Sequence, residues 1–411
     1  MIHRIACEQV RLGMYICKFG GSWFEHPFWR KQLLLENAAQ VEAVRGSAVP
    51  FVEIDDSRGL GLAAAPAVAP RVVEAPRMPV ARRAPAHPAP PAENTHAVER
   101  RRAVELVDRS KRVMKRVFES ARLGRAIRTG DVADVVEDVT AAVTRNPQTL
   151  LGVIRLKNKD EYTYCHSVAV CTLMVHCARH LGLSEAEVHE LGFAGLLHDI
   201  GKMGVPEEVL NKPGRLTDEE FAVVRGHPAH GHGLLAEAGG MPEAALDVCL
   251  HHHEKVDGTG YPFGLPAEKL SLAARLGAIC DVYDALTSDR IYKPGWAPAE
   301  AIAAMWSWEG HFDRELLFGF MQSVGVFPSG MLVRLRSNRL GLVLENRRRA
   351  SRPRACAFYD TRARSLTPPE VVTIRDDFAG DQILSPEDPE HWGLADWEAM
   401  AARLAKLGAA A

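Results

Sequence analysis

His198 and Asp199 stand side by side in GLLHDIGKMGVP, where an apolar run through Phe193, Ala194, Leu196 and Leu197 ends. Setting an imidazole and a carboxylate against an apolar turn is unfavourable unless both are ligated or hydrogen-bonded. Gly201 and Gly204 allow a tight turn and leave room above the pair. Alone, such a pair is more often a hydrogen-bonded couple than a metal site. Its neighbours reverse that judgement. His166 lies upstream in EYTYCHSVAV, and downstream come His227 in RGHPAHG, His252 and His253 in CLHHHEKVDGTGYP, and Asp281 in ARLGAICDVYDALTSDRIYK. Neutral imidazoles with a shared carboxylate suit first-row divalent ions such as iron or manganese, whereas calcium favours oxygen cages and structural zinc favours thiolates. One carboxylate between two ions about 3.5–4 Å apart makes a two-metal hydrolase centre.

These residues need helices to hold them. From 98 to about 325 the apolar spacing is helical, with Val104, Leu106, Val107, Val113, Met114, Val117 and Phe118 on one stripe of the first helix. Its basic opposite face is read as solvated surface, with a dimer-forming helix pair as the sharper alternative. Residues 1–60 read as short strands and turns, a small α+β unit with a Gly20-Gly21 turn and a strand in VPFVEID. Nineteen of the 32 residues from 61 to 92 are Ala or Pro, which blocks helix and sheet pairing, so 61–97 reads as a flexible linker. Connecting helices fill 98–154, the His/Asp-bearing domain 155–325, and a β-rich extension ending in a helix 326–411. The fold class is therefore mainly α: a helical bundle flanked by two small units with strands.

A formal net charge of -2 over 411 residues gives no reason to expect nucleic-acid or membrane binding. The basic run NRRRA and the tryptophans at 23, 29, 306, 308, 392 and 397 read as a turn and as packing, respectively. Eight cysteines without a CxxC pair read as buried small hydrophobes. With no signal-peptide core and no apolar run long enough to span a bilayer, the expected location is the cytoplasm.

In order and spacing, HDIGK (198–202), HP..G (227–231), HHE..DG.GYP (252–262) and DVYDALTSDR.YK (281–293) resemble the HD-GYP domain of the HD phosphohydrolase superfamily. The first 60 residues resemble a domain of unknown function often found in front of it. The resemblance implies an all-helical HD-type bundle and a phosphodiesterase that hydrolyses cyclic di-GMP to linear pGpG, with further cleavage to GMP. It implies that His166, His198, Asp199, His227, His252, His253 and Asp281 ligate metal, with Asp199 bridging. It also implies that Lys202, Arg290 and Lys293 contact substrate phosphate, where a cation stabilises charge developing on phosphorus. Tyr261 of the GYP turn either shapes the substrate pocket, contacts partner proteins such as diguanylate cyclases, or serves loop architecture alone. Glu254 is expected to orient a ligand histidine from outside the centre, with Asp257 beside it. Some family members carry a glutamate one turn before the first helical histidine, able to hold a third ion. Here that position is Tyr162, and Glu161 points about 100° away on a helix, so the expected centre holds two ions. The competing readings are a receptor or adaptor with little turnover and an HD phosphohydrolase acting on another cyclic dinucleotide or nucleotide.

Overall fold

Alternating apolar residues at the N-terminus fit a half-buried sheet, and a computed structural model forms one there. It describes residues 2–19, 33–35, 38–45, 51–60, 95–154, 162–210, 212, 214–289, 295–345, 352–375, 381–394 and 396–410. The 61–92 linker, the Gly20-Gly21 turn, Glu161, Arg290 and Lys293 lie outside the described residues. By its contacts the chain divides into two units, Met1–Arg102 and Ala103–Ala411.

In the first unit, β1 (Ile2–Ile5), β2 (Tyr15–Phe19), β3 (Leu33–Leu34) and β4 (Val52–Asp55) form an antiparallel sheet in the order β1-β4-β2-β3. Helix α1 (Ala38–Arg45) precedes β4. Ile2 pairs with Asp55 and Ile5 with Val52, a register that turns Ile5, Val52 and Ile54 into a core shared with Ile16, Leu35, Val41 and Val44. A one-residue slip would expose that whole set.

Helix α2 (Thr95–Arg122) begins before the expected start at 98 and carries the predicted stripe with one correction. Leu106, Val107, Met114, Val117 and Phe118 are buried, whereas Val104 is 42% exposed. At 100° per residue, Val104 lies about 100° from the stripe's centre. There follow α3 (Thr129–Arg145), α4 (Pro147–Ile154), α5 (Tyr162–His180), α6 (Glu185–Leu197), α7 (Glu207–Leu210), α8 (Asp218–Arg225), α9 (His227–Ala238), α10 (Glu243–His251), α11 (Leu272–Thr287), α12 (Pro298–Ser307) and α13 (Arg314–Val324). The middle of this bundle is dense: α6 and α11 are buried almost all round. Among the described residues, no helix is long and apolar enough to cross a membrane.

The shorter period after residue 327 becomes a five-stranded antiparallel sheet, β8-β7-β6-β5-β9. Its strands are β5 (Leu332–Leu335), β6 (Arg339–Val343), β7 (Arg354–Asp360), β8 (Ser365–Thr373) and β9 (Ile383–Pro386). Helix α14 (Trp397–Ala410) buries Leu404 against Leu342 and Phe358. Each such side chain contributes roughly 1.5–3 kcal/mol. The mainly α class with small sheets at both ends is as the sequence predicts.

Candidate metal centre

The side chains that could hold metal sit mostly at helix ends, where the backbone turns them inward. A capping box starts α6: the Ser184 hydroxyl accepts from the Glu187 amide, and the Glu187 carboxylate accepts from the Ser184 amide at 2.7 Å. The helix ends at His198. Asp199 follows, then a 3-10 turn over Ile200–Gly204. His227 is the first residue of α9, His252 caps α10, and His253 follows it. His166 lies within α5, and Asp281 and Asp284 lie one turn apart on α11, on the same helical face.

Two glycines permit this convergence. A Cβ on Gly195 would come within 2.6 Å of the Cys171 Cα, so α5 and α6 approach backbone to backbone. A Cβ on Gly201 would sit 1.9 Å from the His227 carbonyl oxygen, so no larger residue fits beside the start of α9.

The structure brings all seven sequence-predicted ligand residues together. His166 Nε2 lies 2.9 Å from Asp281 Oδ1, 3.3 Å from His198 Nε2 and 3.6 Å from Asp199 Oδ2. His198 Nε2 is 3.3 Å from Asp199 Oδ2. The other oxygen, Asp199 Oδ1, faces His227 Nε2 at 3.3 Å and His252 Nε2 at 3.6 Å. His253 Nδ1 stands 3.9 Å from Asp281 Oδ2. Among the described residues, two groups have ligand atoms close enough to share an ion: Asp199 with His227, His252 and His253, and Asp199 with His166 and His198. Asp199 belongs to both.

The hydrogen bonds fix which ring nitrogen is free. His198, His227 and His252 direct Nδ1 at the carbonyls of Gly195, Val224 and Val248, at 2.9, 2.7 and 2.9 Å. A carbonyl only accepts, so each Nδ1 carries the proton and, in the neutral ring, each Nε2 presents a lone pair. His166 Nδ1 likewise donates to Asp284 Oδ2 at 2.7 Å. Lone pairs then face each other across 3.3 Å between His227 and His252, and among the described residues the buried Asp199 Oδ1 accepts no hydrogen bond. Such a set is repulsive by itself and is satisfied by cations, so the residues fit divalent metal.

The titration behaviour agrees with an electron-rich pocket. Burial alone would depress His166, but its hydrogen bonds to Asp281 and Asp284 push it up to about 9, so a proton is held where a cation also fits. Burial opposes ionisation of Asp199, yet the Lys202 charge and His198 hold its carboxyl well below the usual range. The same opposition is overcome at Asp281 by His166. Burial lowers His227 and His253, leaving both neutral and able to ligate.

Around the centre the outcome for predicted residues is mixed. Lys202 is placed with its ammonium 2.5 Å from Asp199 Oδ2. Tyr261 stacks on His253, ring centroids 4.7 Å apart, so it lines the centre. Glu254 is corrected. Among the described residues its buried carboxylate orients no imidazole; Oε1 accepts from the Phe263 and Gly264 amides at 2.7 and 3.1 Å, and Oε2 from Leu265 at 3.1 Å. It shapes the turn after Tyr261. Asp257 is corrected too: it is exposed and accepts from the Thr259 amide and hydroxyl at 2.9 and 2.7 Å, a local turn. The residue that does hold a predicted ligand from outside is Asp284, unnoticed in the sequence although three positions from Asp281 is a visible signal. Arg225, whose guanidinium lies 4.9 Å from the Tyr261 ring centre, was also missed, and only a basic residue before GHP hints at it.

Residues 132–316 match the family described as HD domain, and residues 2–132 match a domain of unknown function, DUF3391. A cyclic di-GMP phosphodiesterase of Pseudomonas aeruginosa is 47% identical over 408 residues, covering 99% of this chain and 97% of that protein. A cyclic di-GMP phosphodiesterase response regulator of Xanthomonas campestris is 41% identical over 165 residues, 39% of this chain and 44% of its own length. A 3′3′-cGAMP-specific phosphodiesterase of Vibrio cholerae is 33% identical over 202 residues, 47% of this chain and 44% of its own length.

Proposed function

Because the chain belongs to the HD-domain family of cyclic di-GMP phosphodiesterases, we propose that it hydrolyses cyclic di-GMP at a centre of two divalent ions, iron or manganese. The observation that carries the two-ion reading is Asp199, a single buried carboxylate common to both ligand groups. His166 and His198 would hold one ion and His227, His252 and His253 the other. Asp281, against His166 on one oxygen and nearest His253 on the other, completes the set. Bound there, two ions would supply a water of lowered pKa and polarisation of the phosphoryl oxygen, the chemistry of in-line diester hydrolysis.

The chain's own groups do the rest. The Gly195, Val224 and Val248 carbonyls and Asp284 hold the imidazoles in the tautomer that ligates. Lys202, with its ammonium 2.5 Å from Asp199, would stabilise negative charge gathering on the equatorial oxygens of a phosphate at the centre. Arg290 and Lys293 are assigned the remaining contacts to the phosphate under attack, and the ribose 3′-oxygen leaves to give pGpG. Full-length identity to a cyclic di-GMP phosphodiesterase favours that substrate over other cyclic dinucleotides.

The test is anaerobic turnover of cyclic di-GMP with iron or manganese, with metal content measured on the same sample. Product formation at about two ions per chain, abolished in folded Asp199→Ala, is the expected result. A metal-loaded protein that binds cyclic di-GMP without cleaving it would replace this reading with that of a receptor.

A further inference from the structure

We propose that Arg225 grips the second, non-scissile phosphate of a cyclic dinucleotide, with Tyr261 as the platform that aims it; this rests on the phosphodiesterase reading above. A cyclic dinucleotide carries two phosphodiesters in one ring. When one lies at the metal centre the other is held away from it, so its charge needs a donor outside the ligand set. Lys202, 2.5 Å from Asp199, is assigned to the phosphate at the metal centre. Arg225 differs. It is exposed, and among the described residues no carboxylate lies within ion-pair distance of it.

An exposed arginine ordinarily extends its guanidinium into water. Here the group lies over Tyr261, 4.9 Å from the ring centre, with the Phe221 ring 6.0 Å away. Tyr261 in turn stacks on His253 with 29° between the rings. The cation is thus one aromatic layer, the Tyr261 ring, from a residue of the metal centre. A guanidinium held over a ring offers a fork of N–H donors, which can take a phosphate with two parallel hydrogen bonds.

The backbone beneath it is tied to the centre as well. Arg225 ends α8, and His227, two residues on, donates through Nδ1 to the carbonyl of Val224 at 2.7 Å. On the other side, the Tyr261 amide donates to the His253 carbonyl at 3.2 Å, and Glu254 holds the amides that follow. Cation and platform are therefore positioned by the same residues that build the metal site. A solvated surface arginine would show neither the contact with the Tyr261 ring nor these two anchors.

The experiment compares cyclic di-GMP with bis(p-nitrophenyl) phosphate, a diester with no second phosphate, on the metal-loaded full chain and its Arg225→Gln, Arg225→Lys and Tyr261→Ala variants. A charged hydrogen bond to phosphate corresponds to roughly a tenfold to hundredfold change in affinity. Arg225→Gln is expected to raise KM for cyclic di-GMP by about that factor, with its loss in kcat/KM at least about tenfold greater than for the small diester. Arg225→Lys should recover part of the loss, because a point charge replaces the fork. Tyr261→Ala removes the platform and should raise KM for cyclic di-GMP in the same direction as Arg225→Gln. Equal losses on both substrates, or an unchanged KM in Arg225→Gln with metal content intact, would overturn the proposal. Failure of the phosphodiesterase reading would look different: the wild-type protein itself would cleave the small diester yet neither bind nor cleave cyclic di-GMP.

Discussion

Removing Asp284 should weaken the metal centre without touching a metal ligand. The Asp284 carboxylate accepts from His166 Nδ1 at 2.7 Å, and both side chains are nearly inaccessible, 5% and 3% exposed. The bond does two things: it fixes the tautomer that frees Nε2, and its negative charge makes that nitrogen a stronger base. Asp284→Ala removes both and leaves a buried N–H without this acceptor. A hydrogen bond to a charged group contributes roughly 1.5–3 kcal/mol, and each 1.4 kcal/mol is a factor of ten. The expected fall in metal affinity is therefore about tenfold to hundredfold, the range known for outer partners of metal-ligating histidines. Asp284→Asn keeps an oxygen able to accept but loses the charge, so its effect should sit near the lower end, about tenfold. Chelator competition with manganese or iron gives the affinity, and turnover at limiting and saturating metal separates loss of the ion from damage to the site. Most of the lost activity should return at saturating metal. Wild-type affinity and wild-type turnover at limiting metal in Asp284→Ala would refute the assignment of Asp284 as the residue that positions His166.

Metal-free protein should lose stability as pH rises through about 9. His166 is raised from 6.5 to about 9 in the folded state, so its contribution is complete below pH 6.5 and lost by the time the folded group titrates. Denaturant unfolding of the metal-free protein at pH 6.5 and 9.5 should differ by on the order of 3 kcal/mol. His166→Gln should flatten that slope; an unchanged slope would place the titrating group elsewhere. Glu254→Ala leaves three backbone N–H groups without their acceptor and should destabilise the fold by about 2 kcal/mol or more. It should also raise KM by releasing the turn that carries Tyr261, and wild-type values for both stability and KM would remove Glu254 from that role. Seven of the eight cysteines are buried, and burial pushes the Cys177 thiol up to about 12, while Cys17 is partly accessible. A thiol reagent should therefore modify one cysteine rapidly in the native chain and the others only on unfolding; fast reaction of several would contradict this burial pattern.

Much of the site is readable from residue types, because ligating a first-row divalent ion demands side chains that few other tasks place together. An imidazole at the end of an apolar run has few satisfactory fates, and five of them in ordered segments with two carboxylates leave fewer. The helical period fixes which segments carry them, and the change to a period of two after residue 327 marks the C-terminal sheet. The errors share one cause: a carboxylate in a turn reveals its charge in the sequence but not which N–H groups will surround it. Glu254 follows two histidines and was assigned to them, yet the chain folds the amides of residues 263–265 onto it. Asp257 closes a turn only two residues long, a purely local bond. Val104 fell off its stripe because helix rotation is set by the whole packed face, not by one apolar residue.

What only the tertiary structure decides is convergence. His166 and Asp284 are 118 positions apart, and their bond exists because α5 lies against α11. Asp199 becomes a shared carboxylate because Gly195 and Gly201 let neighbouring backbones close to distances that a single Cβ would forbid. The free nitrogen of each imidazole is chosen by a carbonyl or carboxylate that folding presents to the other one, and Arg225 acquires its platform only when the GYP turn returns over His253. Side-chain chemistry is carried by the sequence, residue by residue; direction and distance, on which ligation depends, arise from packing among helices far apart in the chain.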